Sequence, residues 1–74
     1  MGERGTPRLS PDRVIAILKR HGFHLVGQTG SHQKWYNPAT TRQVILPYHR
    51  RIVSIGTMKS IVKGSGIELE NWFG

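Results

Sequence analysis

The sequence predicts an α+β domain in the order α-β-β-β-α, a three-stranded antiparallel sheet with two helices on one of its faces. Three observations predict it. Apolar residues recur at helical spacing near both ends of the chain and not in its middle. The middle holds three short runs rich in β-branched and aromatic residues, bounded by Gly, Pro, Asn and Thr. The connections between those runs are too short for a parallel crossover, so consecutive runs pair as a meander. Two amphipathic helices must bury their stripes, and one face of the sheet is the place to do it. The other face is left to solvent or a partner.

Each element has its own signals. Ser10-Pro11-Asp12 opens the first helix: Ser10 caps, Pro11 suits the first turn, and Asp12 complements the positive helix end. Val14, Ile17, Leu18 and His21 form one stripe, and Gly22 stands where a left-handed cap belongs, giving a helix over 11–21. Phe23 to Gly27 is the first strand, and Thr29-Gly30-Ser31 is turn chemistry. His32 to Asn37 is the second strand. Residues 37–41 form a hairpin loop, because Pro38 cannot continue a central ladder. Arg42 to Leu46 is the third strand, ended by Pro47, and Tyr48 to Ile55 is a basic connection. Gly56-Thr57 opens the second helix, which runs to about Ser65 and stops at Gly66. Met58, Ile61, Val62 and Ser65 share one face of it, with Lys59 and Lys63 opposite. Ile67, Leu69, Trp72 and Phe73 form an apolar tail expected to fold back on the core.

Composition narrows the class. The chain has 74 residues, 36% of them hydrophobic, and a core of that size supplies only about 3–5 kcal/mol. We expect one domain over residues 10–74, preceded by a loose basic arm over 1–9. There is no cysteine, so disulfides and cysteine-ligated zinc are excluded, which fits a reducing cytoplasm. No stretch approaches the roughly 20 apolar residues of a membrane span. Residues 1–10 lack the apolar centre of a signal peptide. A nucleotide-binding βαβ enzyme or a barrel needs a longer chain.

Eleven Lys and Arg face four Asp and Glu, for a net charge of +7. Residues 1–63 hold all eleven bases and two of the acids, Glu3 and Asp12, a balance of +9. Residues 64–74 hold only Glu68 and Glu70, a balance of −2. A field this positive attracts polyanions, and in so small a chain it points to nucleic acid.

Alternation within the second strand places His32, Lys34 and Tyr36 on one face and Gln33, Trp35 and Asn37 on the other. Trp35 is the side chain to bury, so the first trio faces outward. An imidazole moves protons near neutral pH, an ammonium stabilises a phosphorane, and a phenol ring stacks on a base. By spacing alone such a trio is common on a wet strand face. His21 is expected to be a half-buried helix-end histidine, and His24 a solvent-facing one.

The run Gly30-Ser31-His32-Gln33-Lys34-Trp35, then Asn37-Pro38, then residues 44–49 (Val-Ile-Leu-Pro-Tyr-His), then residues 56–61 (Gly-Thr-Met-Lys-Ser-Ile) and Gly66-Ile67 resembles the HicA toxin family. Arg8-Leu9-Ser10 and His21-Gly22-Phe23 fit it too, so the resemblance covers roughly residues 7–73. It implies a fold like that of double-stranded-RNA-binding domains. It implies a toxin that cuts messenger RNA as a ribonuclease and inhibits translation, paired with a HicB antitoxin. It places the essential histidine at His32. The chain departs from the family's pattern at Gln33, where a second histidine often stands, and at Trp35, where Phe or Tyr is more usual.

In that reading His32 is the catalytic acid or base. Ser31, Lys34, Tyr36, His49, Arg50, Arg51, Lys59 and Lys63 are the residues expected to hold RNA. RNA brings its own 2′-hydroxyl nucleophile, so no metal or other cofactor is needed, and Glu3, Asp12, Glu68 and Glu70 form no cluster to hold Mg²⁺. Two other classes remain: a non-catalytic RNA-binding module of the double-stranded-RNA-binding type, and a DNA-binding autoregulator. The last has only Lys59 and Lys63 to offer from its second helix.

Overall fold

Ser10 starts the first helix, α1 (Pro11–Arg20), by accepting the Arg13 N–H on its hydroxyl oxygen at 3.2 Å. The computed structural model describes residues 5–49 and 51–73. α1 ends in a paired-bond cap: Gly22 N–H donates to the Lys19 carbonyl and Phe23 N–H to that of Leu18. This turn requires positive φ at its first residue beyond the cap, and Gly22 has φ +93°. Phe23 therefore belongs to the cap, with its ring buried in the core. The first strand, β1, accordingly runs His24–Thr29 rather than from Phe23 to Gly27.

β1 pairs antiparallel with β2 (His32–Asn37), and β2 with β3 (Arg42–Pro47), in the order β1-β2-β3. Thr29 stands opposite His32, which leaves Gly30-Ser31 as a two-residue turn with Gly30 at φ +59°. Positive φ at the first turn position matches the right-handed twist of the flanking strands. Register shifts by one residue at Val26, a bulge between Leu25 and Gly27. Asn37 organises the second turn: its Oδ1 accepts from Ala39 N–H and its Nδ2 donates to the His21 carbonyl, each at 3.0 Å.

The alternation in β2 is as the sequence predicts. Gln33, Trp35 and Asn37 are buried, while His32 and Lys34 are exposed and Tyr36 is half-buried. Val44 and Leu46 of β3 join Trp35 beneath the helices. The second helix, α2 (Ile55–Ser65), starts one residue earlier than expected because Ser54 caps it, accepting the Thr57 N–H. Met58 and Ile61 are buried, Val62 is half-buried, and Lys59 and Lys63 are exposed. Gly66 ends α2 at φ +72°. The apolar tail returns as a single 3₁₀ turn, Leu69–Trp72, that packs against α1 and leaves Trp72 0% exposed. Phe73 is half-buried. At the other end Leu9 packs against the core and accepts the Val53 N–H at 2.7 Å. Residues 1–4 of the expected arm lie outside the described residues.

Candidate functional site

His32 is the first residue of β2, exposed, with Thr29 and Pro47 as its cross-strand neighbours. The ladder continues one step beyond β3: Tyr48 N–H donates to the Ser31 carbonyl at 2.7 Å. That bond holds the start of the connection against the turn that carries His32. The Val53 bond to Leu9 holds its end, and Ser54 then caps α2. Between these fixed points the chain closes a hollow of about 310 Å³ lined by His32, Pro47, His49, Val53, Ser54 and Thr57. The positive end of α2 opens onto it. The first turn of α2 holds no acidic residue, whereas α1 carries Asp12 in its first turn. Unshielded N–H groups at a helix start favour an anion.

A second hollow of about 270 Å³ adjoins the first and is lined by Ser10, Pro11, Asp12, Tyr48, His49 and Arg51. His49 is common to both. Tyr48 closes the second with its phenol, which donates to Asp12 Oδ1 at 2.5 Å. That hydrogen bond, and then the negative charge of the carboxylate, raise the phenol pKa above its ordinary value. A family model described as HicA toxin of bacterial toxin-antitoxin matches residues 11–67 of the 74. The chain belongs to the HicA toxin family. No curated protein sequence matches it closely enough to count as a relative.

Membership in the HicA family gives the chain the toxin role in a toxin–antitoxin system and implies an antitoxin partner. Among the described residues no helix is long and apolar enough to cross a membrane. Of the residues singled out in this HicA sequence, the fold brings His32 and His49 to one hollow and Arg51 to its neighbour. Arg50 lies outside the described residues. Ser31 is half-buried in the turn, where its carbonyl holds Tyr48.

Lys34 shares the open face with His32, two residues or about 7 Å along the strand, between Gly27 and Ile45. Tyr36 lies about 13 Å along, beside His24 and Gln43 and away from the hollow. Lys59 and Lys63 line the solvent side of α2; Lys63, in the last turn, is about 12 Å from the helix start. There it complements the negative helix end. His21 is half-buried and pairs its Nδ1 with the Ile17 carbonyl at 2.9 Å. His24 is exposed on β1. Ser54 and Thr57 carry no site expectation from the sequence, although a serine just before an apolar stripe is a helix-capping signal. Asp12 as the partner of Tyr48 has no sequence signal, because the two stand 36 positions apart.

Proposed function

We propose that this HicA-family chain is the toxin of a type II toxin–antitoxin system. In this reading it is a metal-independent endoribonuclease that cleaves messenger RNA and so inhibits translation. The observation that carries the reading is His32: an exposed imidazole on a rigid strand end, at the rim of a hollow onto which a helix N-terminus opens. RNA supplies the nucleophile. The 2′-oxygen attacks phosphorus as the bond to the 5′-oxygen breaks, and His32 takes the first proton or supplies the second. The start of α2 and the Lys34 ammonium stabilise the charge on the phosphorane. The net charge of +7 draws the polyanion in. The antitoxin is a HicB-like protein with an acidic surface that covers the His32 hollow, and the pair works in the cytoplasm.

The test is incubation of the purified chain with single-stranded RNA at low salt, with EDTA throughout and His32→Ala in parallel. We expect cleavage by the wild type alone. Full cleavage by His32→Ala overturns the assignment. Binding without cleavage by both chains makes this a non-catalytic RNA-binding domain.

A further inference from the structure

We infer that His49 is the second proton carrier of the site, acting on the same phosphodiester as His32. The inference rests on the ribonuclease reading above and supplies the group that reading lacks. In-line cleavage moves two protons on opposite sides of phosphorus, one off the 2′-oxygen and one onto the leaving 5′-oxygen. One imidazole in one protonation state serves one of them.

The structure narrows the choice for the other. Asp12 is the single acid between residues 4 and 67; it is held by the Tyr48 phenol and lines the adjoining hollow rather than that of His32. Glu68 and Glu70 belong to the C-terminal segment, around a different depression. His21 spends a ring nitrogen on the Ile17 carbonyl, and His24 stands beside Tyr36 at the far end of the sheet. His49 alone among the remaining imidazoles lines the hollow with His32. It is exposed, and its neighbour is fixed twice, by the Tyr48 N–H to the Ser31 carbonyl and by the phenol to Asp12. A proton carrier needs this placement: a mount held by its preceding residue and a ring open to substrate.

The balanced step forms a bond from the 2′-oxygen to phosphorus and breaks the bond to the 5′-oxygen. One histidine takes the 2′-proton while the other gives its own to the 5′-oxygen. The products are a 2′,3′-cyclic phosphate and a free 5′-hydroxyl, and no co-reactant enters.

The experiment compares wild type, His32→Ala, His49→Ala and His49→Gln on ordinary RNA and on RNA carrying a 5′-sulfur leaving group. Sulfur departs without a proton. Circular dichroism and urea unfolding check that each variant is folded. We expect both His49 variants to lose about 10²–10⁴-fold in kcat, whatever each also loses in KM. The sulfur substrate then restores one of the two alanine variants and leaves the other impaired. A His49→Ala chain that cuts ordinary RNA as fast as wild type, or loses only in KM, overturns the inference while the His32 reading stands. Restoration of both alanine variants, or of neither, overturns it as well. A wild type that binds RNA and does not cut it removes the ribonuclease reading itself, and this inference with it.

Discussion

The indole N–H of Trp35 donates to Oε1 of Gln33 at 3.1 Å, and both side chains are buried on the helix-facing side of β2. Gln33 and Trp35, the two positions singled out in the sequence, are thus a single hydrogen-bonded pair. Each satisfies a polar group that the other would strand. Gln33→Leu leaves the indole N–H without a partner and is expected to cost about 1–3 kcal/mol. Trp35→Phe strands Gln33 in the same way. The double substitution should cost clearly less than the two single costs summed, because it removes both polar groups together. Urea unfolding of the four chains measures this. Additive losses would show that the bond carries no energy.

The Tyr48–Asp12 bond has a spectroscopic signature. The chain has two tyrosines, so in a Tyr36→Phe background absorbance at alkaline pH follows Tyr48 alone. Its phenol should ionise above the ordinary value, and Asp12→Asn should bring it back. The folded-state pKa is the higher one. The stability this bond contributes is therefore fully present below the unfolded phenol's pKa of about 10, and is lost as pH rises through the folded value. An unshifted titration in the Tyr36→Phe chain would refute the contact.

Gly66 separates two sources of cost. A Cβ there would lie 2.5 Å from Arg42 Nε, and the backbone sits at φ +72°. The arginine is exposed and its far end can swing away, whereas the left-handed backbone cannot relax. Gly66→Ala should lose about 1–2 kcal/mol, and adding Arg42→Ala should recover little of it. Substantial recovery would mean that the crowding, not the backbone, dominates.

Ser54→Ala removes the hydroxyl that accepts the Thr57 N–H and donates to Thr57 Oγ1. Thermal or urea unfolding should show a loss of about 1 kcal/mol. Cleavage should fall further than stability explains, since the same residue lines the His32 hollow. Unchanged cleavage by the folded variant would remove Ser54 from the site.

Salt dependence sorts the cations. If Lys34 and Arg51 each neutralise a phosphate of single-stranded RNA, removing either lowers the slope of log affinity against log salt by about 0.7. Lys63, in the last turn of α2, should leave that slope unchanged. A slope that changes equally for all three would mean a diffuse field rather than a track.

Element type and order were legible because periodicity and turn chemistry agreed along the chain: the helix stripes, the β2 alternation and Gly30 all pointed one way. The start of β1 was not, because Phe23 fits a strand and a helix cap equally well until the Gly22 bonds are known. His32 could be placed on an outer face from alternation. That it shares a hollow with His49, Ser54 and Thr57 rather than with Tyr36 depends on where the connection after β3 is tied down. Those ties are backbone bonds between distant residues, which no local pattern encodes.

The burial of Trp72 against α1 also has a meaning in time. Leu18 and Trp72 lie in one core yet stand 54 positions apart in the sequence. At a synthesis rate of about 5–20 residues per second, several seconds separate their appearance from the ribosome. Until Trp72 emerges, the nascent toxin carries its histidines without a closed core to aim them. Closure of the core thus waits on the emergence of Trp72.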